Sequence, residues 1–306
     1  MELELLLERE KRFKKKLTEG TKSRKESELD RSSVIDLSPS FSPIMPRKAV
    51  IVATSAASLS GVSTGTWLEE VAAPYYLFKG DSLDVVIASP KGGAVPVDEK
   101  SRGEGFYTAA AKRFDADPEA TRKLRESVPV ADLVEALSSS SSPSKEDQIV
   151  LVFVAGGHGI VDDFDAPDLT RALEAAAASG SVVVAAVCHG VAALLPVKRP
   201  DGKPLLEGRS ATCFSNEEED AVGMTAKMPE RLRSLEDAVK EACGDENKYS
   251  KAAEAWGVCV VAEGKVVTGQ NPASSTGTAL AALAALGAGE AAEGKGEGKE
   301  GGGACC

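Results

Sequence analysis

Two kinds of apolar pattern alternate along most of the chain. Short unbroken runs predict buried strands: KAVIVAT (Lys48–Thr54), LDVVIAS (Leu83–Ser89), QIVLVFVAGGHG (Gln148–Gly159) and VVVAAV (Val182–Val187). Longer stretches with apolar residues three and four apart predict helices. These are TWLEEVAAPYYLFK (Thr66–Lys79), TRKLRESV (Thr121–Val128) running on into PVADLVEAL (Pro129–Leu137), DLTRALEAAAASG (Asp168–Gly180), RLRSLEDAVKEACG (Arg231–Gly244) and TALAALAAL (Thr278–Leu286). Pro74 can kink the first of them, and Gly180 closes the third as glycines often close helices. VCVVAEGKVVTGQ (Val258–Gln270) reads as a hairpin or two short strands. Strands alternating with helices predict one α/β domain, with a mostly parallel sheet covered on both faces. In such sheets ligands bind at the carboxyl ends of strands. Three glycine-rich or reactive segments stand there: Ser89-Pro90-Lys91-Gly92-Gly93, Gly156-Gly157-His158-Gly159 and Cys188-His189-Gly190.

The pattern fails at both ends. Residues 1–44 are dense in charge around one apolar cluster, Leu3–Leu7, and are expected to form a disordered or solvated helical extension. They hold acids and lack a long apolar stretch, so they fit neither a signal peptide nor a transit peptide. Residues 288–306 are Gly/Glu/Lys low complexity and are expected to be a disordered tail. The tail ends in Cys305-Cys306, a pair that resembles a double-cysteine prenylation signal but is read as a chance tail, since nothing else in the chain looks like a small GTPase. The domain is therefore placed at 45–287. No run approaches the roughly 18 apolar residues of a membrane span.

Composition narrows the classes. The chain has 306 residues, 42% of them hydrophobic, enough for a sizeable core. Its net charge of -11 argues against nucleic acid and against anionic membrane surfaces as partners. Six cysteines without a CxxC pair read neither as a disulfide framework nor as a structural zinc site, and a reducing setting is expected. Cys213, Cys243 and Cys259 are expected to be packing residues. The two histidines, His158 and His189, decide several questions by their scarcity.

Cys188 carries the candidate chemistry. A sharp strand-to-helix turn would lift its side chain into the cleft. The free N–H groups and dipole of a following helix would lower its pKa and favour the thiolate. Other chemistries fit poorly. A glutamine amidotransferase needs a late His-x-Glu pair, and no histidine follows His189. A serine hydrolase needs serine at the elbow. ATSAASLSG after the first strand is not the glycine motif of a nicotinamide enzyme. Two histidines and scattered carboxylates give no spaced ligand set, so no metal and no cofactor are expected.

AAVCHG with GGHG upstream resembles the DJ-type/PfpI superfamily, whose fold is flavodoxin-like and of the class I glutamine amidotransferase type. TGTWLEEVAAPYYLFK resembles that superfamily's acidic segment. ASPKGGAVPVDEKS, GKPLLEGRSATCFSNEEE and VTGQNPASS resemble its branch of heat-shock-type chaperones and glutathione-independent glyoxalases. The resemblance spans most of Lys48–Leu286.

It implies a catalytic glutamate at Glu70, with Glu69 as the neighbouring alternative, and a histidine at His189. It implies an orienting acid at Glu219, with Glu217 and Asn216 as alternatives. Backbone donors at Gly157, His158 and His189 would hold an oxyanion. The implied activity is conversion of a small 2-oxoaldehyde, methylglyoxal, and water to D-lactate through a Cys188 hemithioacetal. A holdase or thiol redox sensor is the alternative, and a deglycase or peptidase is further off. A homodimer and a cytoplasmic location, the nucleus included, are also implied.

Overall fold

The computed structural model describes residues 47–138, 148–293 and 303–305. The expected extension at 1–44 and most of the expected tail lie outside the described residues. Strand β1 (Lys48–Val52) leads through a small hairpin, β2 (Ser58–Leu59) and β3 (Val62–Ser63), into helix α1 (Leu68–Gly80). β4 (Asp84–Ser89) pairs with β1. Two short helices follow, α2 (Ala109–Ala116) and α3 (Pro118–Arg125), then β5 (Val128–Pro129) and α4 (Val130–Ser138). β6 (Ile149–Val154) precedes a single turn, α5 (Ile160–Asp163), and α6 (Pro167–Ala178). β7 (Val183–Val187) runs directly into a 3₁₀ stretch, Cys188–Leu194. α7 (Asn216–Ala221), α8 (Leu235–Cys243), the hairpin β8 (Val260–Glu263) and β9 (Val266–Gly269), α9 (Ser275–Glu293) and β10 (Gly303–Cys305) complete the described chain.

Local chemistry sets these boundaries. Thr108 caps α2 by accepting the Ala111 N–H, and Asp117 caps α3 ahead of Pro118. TRKLRESV is therefore only partly helical: α3 ends at Arg125, and Val128–Pro129 leave it to join the sheet edge beside β4. Ser234 caps α8, so the helix begins at Leu235, later than RLRSLED suggested, and Gly244 closes it in the left-handed region at φ +74°.

The strand order is β10-β8-β9-β7-β6-β1-β4-β5, with every pair parallel except β8–β9 and β10–β8. All residues of β6 and β7 are buried, as strands covered on both faces must be. α1 and α9 pack on each other, α9 also packs on β7 and β9, and α4 packs on α6. β4 lies on one side of β1 and β6 on the other, so the winding reverses between β1 and β6. That reversal opens a crevice at the carboxyl ends of the strands.

Two expectations about the carboxyl end change. α9 runs to Glu293, past the expected boundary at 287, and Gly303–Cys305 pair with Ala262–Val260 of β8. Cys259 is disulfide-bonded and not a plain packing residue. The returning strand sets Cys305 opposite Val260, next to Cys259 in sequence. No periodicity in the tail announces that return. Among the described residues, no helix is long and apolar enough to cross a membrane.

Candidate active site

Cys188 follows the last residue of β7 with φ +60°, a left-handed conformation that a side-chain-bearing residue enters only under strain. The 3₁₀ turn after it makes the elbow tight. A Cβ on Gly190 would stand 2.4 Å from the Val154 carbonyl oxygen of β6, so only glycine lets the elbow lie on its neighbouring strand. The turn also carries His189, whose ring Nδ1 lies 3.4 Å from the Cys188 sulfur.

α7 supplies the third group. His189 Nε2 lies 2.7 Å from Glu219 Oε2, and His158 Nε2 lies 2.7 Å from Glu219 Oε1. One carboxylate thus accepts from two imidazoles. Burial alone would raise its pKa; the electrostatic pull of His189 and the two imidazole hydrogen bonds outweigh that and hold it well below the usual carboxylate range. With Glu219 ionised, His189 donates through Nε2–H and keeps Nδ1 free to take a proton from sulfur. His158 is pushed down by its own burial and then by His189.

α1 supplies the fourth. The Trp67 N–H donates to the Gly156 carbonyl at 3.2 Å, which ties the start of α1 to the end of β6. Glu70, one turn on, is fully buried and accepts the Gly156 N–H through Oε2 at 2.6 Å. Its Oε1 makes no conventional hydrogen bond among the described residues. Burial pushes the Glu70 carboxyl up to about 8; its interactions with the Cys188 side chain and the Gly156 amide pull the other way. The acid is therefore protonated at neutral pH, with its free oxygen available to the sulfur. Glu69 turns elsewhere, to the Thr108 hydroxyl.

Cys188 is 3% exposed. Burial, then the Glu70 charge, pushes its thiol well up, while the amides of His189 and Gly157 pull it down. The expected low-pKa thiolate is thereby reversed. A seven-residue 3₁₀ turn offers no long helix dipole, and desolvation dominates. The two amides that face the sulfur are those of Gly157 and His189. Gly157 (φ +92°) could not bear a Cβ, which would meet the Gly65 carbonyl oxygen at 2.4 Å. His158 contributes its imidazole to Glu219, a part that no local pattern announced.

The structure thus brings together Cys188, His189, Glu219, Glu70, Gly157 and His158, and leaves Glu69, Glu217 and Asn216 out. His158, His189 and Glu219 also set three donor atoms of zinc-binding type within 4.8 Å of one another. Their 2.7 Å separations are those of hydrogen bonds, and as placed the three form a hydrogen-bonded chain able to relay a proton.

Sequence reasoning missed the support behind the relay. Glu218 is fully buried and caps α7 with Ser215; its Oε1 accepts from Trp256 N–H, Gln270 Nε2 and Asn271 Nδ2 at 2.9, 3.0 and 2.7 Å. The Ser-x-x-Glu spacing in SNEE was the available signal.

A glutathione-independent glyoxalase of Saccharomyces cerevisiae, HSP31, is 29% identical over 249 residues, covering 79% of this chain and 98% of its own length. The crystal structure of glyoxalase III from Candida albicans matches with TM-score 0.67 at 26% identity, over 78% of this chain and 97% of that one. The X-ray structure of Rapid Encystment Protein 24 KDa from Francisella tularensis matches with TM-score 0.66 at 32% identity, over 78% of this chain and 99% of that one. No protein-family model matches the chain.

Proposed function

We propose that this chain, which belongs to the DJ-type/PfpI superfamily and to its branch of glutathione-independent glyoxalases, converts methylglyoxal and water to D-lactate without glutathione. One observation carries the reading. A buried thiol stands between an imidazole–carboxylate relay and a carboxyl whose pKa of about 8 lets it both give and take a proton near neutrality.

Each group has a step. His189 Nδ1 takes the Cys188 proton as sulfur attacks the aldehyde carbon, and Glu219 stabilises the imidazolium. Glu70 gives its proton to the former aldehyde oxygen, completing a hemithioacetal. The Glu70 carboxylate then removes the hydrogen on that carbon, and the imidazolium protonates the ketone oxygen, leaving an enediol. Glu70 returns its proton to the second carbon, and His189 takes the hydroxyl proton as a thioester forms. Water adds to the thioester carbon as the Glu70 carboxylate takes one of its protons, the imidazolium gives its proton to the departing Cys188 sulfur, and lactic acid leaves and loses its proton to solvent, so that Cys188, His189 and Glu70 all return to their starting forms. Amides of Gly157 and His189 face the sulfur, where an oxyanion on the attacked carbon gains most from fixed donors.

The redox-sensor alternative needs an accessible, low-pKa thiol. Cys188 is buried and its pKa is raised. The test is mass balance in glutathione-free buffer: lactate formed must equal methylglyoxal consumed. Methylglyoxal lost without lactate would mean protein modification and would sink the proposal.

A further inference from the structure

Four aromatic rings form an arc whose two ends rest on the active site. Trp67 begins it, three residues before Glu70 and hydrogen-bonded to Gly156. Its indole meets Phe106 edge to face at 5.1 Å. Phe106 meets Trp256 at 6.0 Å, and Trp256 meets Phe214 at 5.7 Å. Phe214 lies 4.6 Å from the His189 ring and 6.2 Å from the His158 ring. Cys188 is almost sealed, whereas Phe106, midway along the arc, is 37% exposed.

The two middle rings differ in how firmly they are held. Phe106 follows the glycine-bracketed turn Gly103–Gly105. Trp256 has φ +67°, a conformation such a residue keeps only when its surroundings enforce it. The enforcing contact is its N–H on the buried Glu218 carboxylate, so Trp256 is fixed to the element that also carries Glu219. Beside the arc, two buried polar atoms lack partners among the described residues, Glu70 Oε1 and the Trp67 indole N–H. A ligand oxygen that reached either atom would supply the partner it lacks.

We propose that Phe106 and Trp256 form an aromatic gate to Cys188 that sets substrate size. It admits short, free 2-oxoaldehydes and excludes bulky ones, adducts on protein side chains among them. The substrate named here rests on the glyoxalase reading; the gate itself does not. Phe106 is the movable ring and Trp256 the fixed jamb.

The experiment has two arms. First, Cys188 is alkylated with a small haloacetamide and with a fluorescein-sized maleimide, in wild type and Phe106→Ala, and read by peptide mapping. Wild type should react only with the small reagent. The variant should gain about tenfold or more in labelling by the large one, with the small one changed by less than about threefold. Second, kcat/KM is measured for methylglyoxal and phenylglyoxal, and their ratio should shift toward phenylglyoxal by a similar factor in the variant. Phe106→Leu should fall between, which separates size from misfolding. Equal labelling of wild-type Cys188 by both reagents, or a variant that changes both reagents equally, overturns the gate. Intact size selection in a protein that turns over no aldehyde overturns the glyoxalase reading alone.

Discussion

Among the described residues no lysine or arginine forms an ion pair with Glu70, and its proton is kept by burial. That has a cost in stability which depends on pH. The folded chain holds the Glu70 proton up to about pH 8, whereas an ordinary glutamate releases it near 4.5. The folded state therefore loses stability as pH rises from about 4.5 to 8, since the unfolded chain can ionise and the folded one cannot. Glu70→Gln should melt above wild type at pH 9, with a gap that narrows toward pH 5. A gap that does not vary with pH in thermal scans would contradict a buried neutral acid. Turnover should also fall as pH climbs past about 8, because the proton-giving form is lost. At Cys188 the same burial predicts slow haloacetamide labelling at pH 7, rising with pH. Labelling as fast as that of an unfolded control at neutral pH would restore the low-pKa thiolate that the sequence suggested.

The elbow between β7 and the 3₁₀ turn is the element on which the site depends. Gly190→Ala would drive a Cβ into the Val154 carbonyl, so β6 and the elbow would have to part. The expected loss is about 2–3 kcal/mol, or roughly 5–10 °C in melting temperature, together with turnover. An unchanged melting temperature would mean that the elbow has room to move. Elements of this kind were the most legible part of the sequence. β6 and β7 are unbroken apolar runs with reactive or glycine-rich residues at their carboxyl ends, and that was enough to place Cys188, His189 and Gly157 in one crevice. α1 was readable as a helix, but the choice of Glu70 over Glu69 came from family resemblance. Adjacent acids point in different directions only once Trp67 fixes where the helix begins. Glu219 was harder still. Three consecutive glutamates share one short helix, and the Glu218 hydrogen bonds to Trp256, Gln270 and Asn271 decide which of them faces His189. Those partners lie about 40–50 residues away, and contacts of that range leave no local pattern. The aromatic arc was invisible for the same reason.

At the scale of the whole molecule, the yeast relative spans 98% of its own length with 79% of this chain. Removing residues 1–44 should leave kcat/KM within about threefold and the melting temperature within a few degrees. A larger loss would show that the extension contributes to the domain. The central claim is that one buried thiol and one protonated glutamate together turn a 2-oxoaldehyde into a 2-hydroxy acid. The most direct test measures D-lactate formed from methylglyoxal at pH 7, with no glutathione, by wild type, Cys188→Ser and Glu70→Gln. Wild type should form D-lactate steadily, and each variant should fall to the rate of buffer alone while keeping its fold. A wild type as inert as the variants, or either variant at near-wild-type rates, would contradict it.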